Sequence, residues 1–170
     1  MAVPPLLSLA DETQYRQYFL NNFVHDNVTT HHGIRVHFKT NDFDHAFYES
    51  SQRDRVKDRF SQDRSQRMKW INFTLSDSNA DWFQGWIKLR RCYDVTRSVA
   101  VAYGDFVVVT EFRANRDGEW VAKSVICYVA DNRITKIRQS PPWSLQDCKN
   151  ELGISCDRRF ATLAQRPKPQ

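Results

Sequence analysis

DFVVVTEFRA at residues 105–114 and EWVAKSVICYVA at 119–130 decide the fold. Both runs are β-branched and aromatic, and Asn115-Arg116-Asp117-Gly118 between them is a hairpin loop. They therefore read as two antiparallel strands. Working back toward the N-terminus, SVAVAY (98–103) is a third strand, turned into the first by Gly104-Asp105. WFQGWIKL (82–89) is a fourth.

Earlier segments carry helical periodicity. Asp11 or Thr13 caps a helix through about Val24, with Tyr15, Tyr18, Phe19 and Phe23 on one stripe. His31-His32-Gly33 is a turn into a half-buried strand, where Ile34, Val36 and Phe38 alternate with Arg35, His37 and Lys39. Asn41 or Asp42 caps a short helix through about Glu49 with Phe43, Ala46 and Phe47 inward. Residues 50–59 read as an exposed polar loop. A helix is expected over 62–76 behind Ser61, with Met68, Ile71 and Leu75 inward and Trp70 beside them. Helices followed by an antiparallel meander predict an α+β fold, the N-terminal helices packed on one sheet face.

The chain has 170 residues, long enough for one domain with a real core, expected over about 11–143. Residues 144–170 form a C-terminal extension, with a helix over 144–157 and a frayed tail at 166–170. No window reaches 18 apolar residues, and MAVPPLLSLADE lacks the basic start of a signal peptide. A soluble, cytoplasmic protein is expected, with no membrane partner. Net charge is +5, which points to a polyanion, nucleic acid first. The four cysteines form no CxxC and read as reduced thiols, with a Cys148–Cys156 bridge as the alternative.

Several chemistries are disfavoured. The five histidines form no HExxH and no i, i+4 pair, so no metal is expected. P-loop, GxGxxG and GxSxG patterns do not occur. Charged residues near apolar stripes remain. Arg64 and Arg67 start near the buried side of the 62–76 helix. They either snorkel to water or clamp a phosphate. His45 lies off its helix's apolar side, within reach of Asp42 and Glu49, whose carboxylates would raise its pKa. Alternation in DFVVVTEFRA puts Val107, Val109, Glu111 and Arg113 on one face. Lys123 interrupts the next strand. These charges form either an active face or a cross-strand cluster. In KIRQSPPW (136–143), a proline-stiffened loop carries Arg138, Ser140 and Trp143, suited to a phosphate and a base, or to closing the core.

DHAFYES, FSQDRSQRMKWI, YDVTRSVAVAYGDFVVV and ADNRITKIRQSPPW together resemble phage- and mobile-element-associated proteins. Those belong to the nuclease superfamily named after barnase, EndoU, colicin and RelE toxins. The resemblance spans about residues 34–143 and rests on the order of several blocks. It implies helices on one face of an antiparallel sheet and an active cleft on the other. It also implies metal-independent RNA cleavage by the 2′-OH, without cofactor, by a toxin or phage-related effector. RNA, with transfer RNA a candidate, and a cognate immunity or antitoxin protein are the implied partners. Under it, His45 is the general acid/base and Glu111 the second. Arg64, Arg67, Arg113 and Lys123 stabilise the phosphate, and Tyr93 and Trp143 position or stack the RNA. The alternative is a catalytically inactive nuclease-like fold that binds RNA or protein. A DNA-acting enzyme would need a metal.

Overall fold

The computed structural model describes residues 2–26, 28–51, 56–114, 120–130 and 133–153, with 120–126 described through their backbone pairing. The fold is α+β. Helix α1 (Glu12–Phe19) starts at Asp11, whose carboxylate accepts the Gln14 N–H at 2.9 Å. The chain continues as a π-helical turn, Leu20–Val24. Tyr15, Phe19 and Phe23, at helical spacing, are buried in the main core. The Tyr15 hydroxyl donates to the Leu7 carbonyl at 2.8 Å and ties the N-terminal lead-in down. Leu7 is itself in the core, which therefore begins earlier than residue 11.

Strands β1 (Val28–Thr29) and β2 (Arg35–His37) follow. Helix α2 (Asp42–Phe47) buries Phe43, Ala46 and Phe47. It stops short of the expected Glu49, because Tyr48–Glu49 (β3) pair with Arg59–Phe60 (β4). That ladder brings the Phe60 ring against Tyr15, Phe43 and Tyr48. Part of the expected 50–59 loop is thus strand, and 52–55 lie outside the described residues.

The expected 62–76 helix is two, α3 (Gln62–Gln66) and α4 (Met68–Ser76). They break at Arg67, with φ −91° and ψ 12°. There the Arg67 N–H donates to the Arg64 carbonyl, three residues back, and the guanidinium folds onto Asp63. No glycine or proline marks the break. Met68, Ile71 and Leu75 are buried as expected, and Trp70 packs at the core's edge.

Strands β5 (Asp81–Phe83), β8 (Val99–Tyr103), β9 (Phe106–Ala114) and β10 (Trp120–Val129) form the antiparallel part of the sheet. The 115–118 loop lies outside the described residues, while Ala114 pairs with Trp120 at its base. Strand order is β1-β2-β10-β9-β8-β5. One join departs from a meander: β2 lies parallel to β10, through Val36↔Ala122 and Lys123↔His37. WFQGWIKL also divides. β5 ends at Phe83, and β6 (Gly85–Ile87) forms a separate hairpin with β7 (Cys92–Asp94). A Cβ at Gly85 would sit 2.0 Å from the Arg97 carbonyl oxygen, so only glycine fits this crossing.

The two sheet faces differ. Phe106, Val108, Thr110 and Phe112 are buried on the side that receives α1, α2 and α4. On the other side, Ala100, Ala102, Val107 and Ala130 form a small cluster under Ile134 and Ile137 of α5 (Ile134–Arg138). That cover reaches one end only. Val109 and Glu111 are half-buried and Arg113 is exposed at the other end. The C-terminal helix α6 (Leu145–Glu151) is shorter than the expected 144–157, and 154–170 lie outside the described residues. Its Cys148 is buried in the main core, so the core also extends past residue 143. Among the described residues no helix is long and apolar enough to cross a membrane.

Candidate active site

Among the described residues, the end of the open sheet face that α5 does not cover has charged positions on β2 and β9, on either side of β10. Register sets His37 of β2, Lys123 of β10 and Glu111 of β9 in one row. Adjacent strands lie about 4.8 Å apart, so the His37 and Glu111 backbones are about 10 Å apart across β10. The neighbouring row contains Arg113 opposite Val121, and Arg35 precedes His37 by two residues on the same side. Alternation explains the sorting. Val36, Ala122 and Phe112 are in register, and Val36 and Phe112 are buried in the main core. Arg35 and His37, on either side of Val36, are exposed.

Arg35 and Arg113 both bear on the His37 imidazole. The His37 pKa is held below its ordinary 6.5, first by the packing beneath its exposed ring and then by the Arg35 and Arg113 guanidiniums. Arg113 acts on it from the far side of β10. Neither Arg35, Arg113 nor Glu111 forms an ion pair with a described residue. An imidazole, a carboxyl group and two guanidiniums can bind an anionic phosphate and move protons at its oxygens.

The other expected site residues are engaged elsewhere. His45 is exposed at the end of α2, and both carboxylates expected beside it hold other partners as well. Asp42 accepts the Lys39 N–H at 2.7 Å. Glu49 accepts from Arg64 Nε at 2.9 Å, Arg59 at 3.3 Å and Ser61 at 3.1 Å. The His45 carbonyl accepts from Lys57. Arg64 thus shares Glu49 with Arg59, and Arg67 pairs with Asp63 and lies 5.6 Å over the Trp70 ring. Both arginines tie the broken helix to its surroundings, where a phosphate clamp was one expectation.

KIRQSPPW closes the core. Trp143 is 7% exposed, packs on Trp82 and Phe112, and donates its indole N–H to the Val95 carbonyl at 2.7 Å. No ring face is left for a base. Arg138 donates to the Gly104 carbonyl at 3.1 Å, at the opposite end of β9 from Glu111. Ser140 is half-buried behind α5. Tyr93 projects from the β6–β7 hairpin and remains 42% exposed. Of the expected residues, Glu111 and Arg113 share the open face, and Lys123 holds the register position opposite Glu111. His37 and Arg35 join them, although the sequence placed them only on a basic outer face.

Thiol and metal chemistry find little support in the residues present. Burial pushes the Cys127 and Cys148 thiols up to about 12, which suppresses the nucleophilic thiolate. Cys92, Cys127 and Cys148 are free, while Cys156 lies outside the described residues. Among the described residues, no group of three or more His, Cys, Asp or Glu side chains could hold a metal ion. The chain matches no protein-family model, no curated protein and no solved structure.

Proposed function

We propose that the chain is a metal-independent endoribonuclease, a toxin or phage-related effector of the barnase–EndoU–colicin–RelE-like kind, with its active site on the open sheet face. The observation that carries this reading is the His37–Glu111 pair flanking β10 beside two guanidiniums that form no ion pair with a described residue. In-line attack of a 2′-OH needs a base on one side of the phosphorus, an acid on the other and cations at its oxygens.

Glu111 takes the 2′-hydroxyl proton as its oxygen attacks phosphorus. Protonated His37 gives a proton to the departing 5′-oxygen. Arg35 and Arg113 hold the non-bridging oxygens, with Lys123 at the register position between the acid and the base. In the free protein the same guanidiniums depress His37. A bound phosphodiester offsets their charge, so the imidazole takes up its proton with the substrate. DNA lacks the nucleophile and is spared. An immunity or antitoxin protein that blocked this activity would cover the same face.

The test is incubation of the purified chain with total transfer RNA and with single-stranded DNA of matching length, in EDTA. RNA-only cleavage that leaves 2′,3′-cyclic phosphate ends, and is lost in His37→Ala, is the expected result. Binding without cleavage would favour the inactive nuclease-like module. DNA cleavage, or cleavage abolished by EDTA, would refute the mechanism.

A further inference from the structure

The β6–β7 hairpin presents large apolar side chains to solvent. Trp86 and Tyr93 are cross-strand partners on its outer side, 49% and 42% exposed, with ring centroids 5.0 Å apart. Leu89, in the turn, is 98% exposed. Lys88 precedes it and Arg91 lies two residues on, and neither forms an ion pair with a described residue, while Arg90 between them pairs with Asp94. Exposed aromatics beside uncommitted cations form a surface on which unpaired bases stack while the backbone is neutralised.

Two features select a polyanion running in one direction. The hairpin's exit strand continues beside β9, where the Phe112 N–H donates to the Thr96 carbonyl at 2.7 Å. The hairpin base thus borders the Glu111–Arg113 end of β9, and Arg97, next to Thr96, is exposed. On the α6 side, by contrast, Tyr93 borders a groove of about 500 Å³ where Arg90 is ion-paired with Asp94 at 2.6 Å and the carboxylates of Asp147 and Glu151 line the wall. Those carboxylates repel a phosphate backbone, which leaves the route over Arg97 toward Arg113.

We propose that this hairpin is a stacking platform for single-stranded RNA, binding nucleotides that extend from the phosphate held at His37 and Glu111. The platform rests on the ribonuclease reading for its direction, but its binding can be read without cleavage. The probe is a fluorescent dodecamer of 2′-O-methyl RNA, which has no free 2′-hydroxyl and is not cut. Anisotropy titrations compare the wild type with a Trp86→Ala/Tyr93→Ala variant and with Lys88→Glu, each checked for wild-type melting. Loss of two stacked bases should weaken dodecamer binding by at least about ten-fold. Lys88→Glu should shallow the salt dependence by about 0.7 or more in log–log slope. With cleavable substrates, the aromatic variant should lose preference for a dodecamer over a dinucleotide.

Dodecamer affinity within two-fold of wild type in the aromatic variant overturns the platform, whether or not the wild type cleaves RNA. Hairpin-dependent binding by a wild type that cleaves nothing supports the platform and sinks the ribonuclease reading instead. Wild-type self-association lost in the aromatic variant, with RNA affinity retained, makes the hairpin a protein-docking surface and overturns the proposal.

Discussion

Two pairs of arginines look interchangeable in the sequence and differ in the fold. Arg64 and Arg67 lie on the α3–α4 side with side chains 22% and 21% exposed, each on a carboxylate. Arg35 and Arg113 stand on the open sheet face, and neither forms an ion pair with a described residue. The first pair is tied to carboxylates of its own surroundings, while the second has no ion-pair partner among the described residues. Proximity to an apolar stripe therefore marks a structural arginine here. The functional candidates are those that strand alternation turns away from the core.

The largest expected effect tests this contrast through activity. His37→Ala and Glu111→Gln should each lower RNA cleavage by about 10²–10⁴-fold, the usual yield of a positioned acid or base. Arg64→Ala should leave most of the rate and lower the melting temperature instead. A gel assay run beside a thermal melt reads both. Equal losses of cleavage from both sides would erase the distinction.

On the covered face, Phe43 is fully buried between α1 and α2. Phe43→Ala should cost about 3–5 kcal/mol in urea unfolding. Arg113→Ala, on the open face, should stay within about 0.5 kcal/mol. Arg64→Ala falls between, at roughly 1 kcal/mol, because its ion pair with Glu49 is only partly shielded from solvent.

Smaller effects concern protons. Because packing, Arg35 and Arg113 lower the His37 pKa, its ring protons should titrate below 6.5 by NMR. Arg113→Gln should move that midpoint upward, and a midpoint that does not move would separate the two strands electrostatically. With His37 as the acid, kcat/KM falls as pH rises through this lowered pKa. His32 gives a structural counterpart. Burial, then His31, lowers its pKa below the 6.5 of an unfolded chain. The unfolded state thus binds more protons on acidification. His32 therefore stabilises the fold fully above pH 6.5 and progressively less as pH falls through its folded pKa. Melting temperatures should drop faster below pH 6.5 in the wild type than in His32→Phe.

The sequence carried the covered half of this molecule well and the open half poorly. Local periodicity found the inward stripes of α1, α2 and α4, and alternation sorted β9 correctly between its faces. The same alternation showed Arg35 and His37 facing outward. It could not show that β2 would lie parallel to β10, because that pairing joins residues more than eighty positions apart. His45 drew the catalytic reading from nearby carboxylates, which the β3–β4 ladder and the α2 entry turn had already engaged. The break at Arg67 left no trace either, since it arises from a guanidinium folding onto Asp63 in a stretch without glycine or proline. Trp143 could equally stack a base or close the core, and its indole hydrogen bond to Val95 decided for the core.

The most direct measurement is the cleavage rate of transfer RNA in EDTA for His37→Ala and His45→Ala, side by side with the wild type. If the open face is the active site, His37→Ala loses at least about 10²-fold and His45→Ala stays near the wild-type rate. Loss in His45→Ala with full activity in His37→Ala would contradict the account and move the chemistry to the α2 side of the molecule.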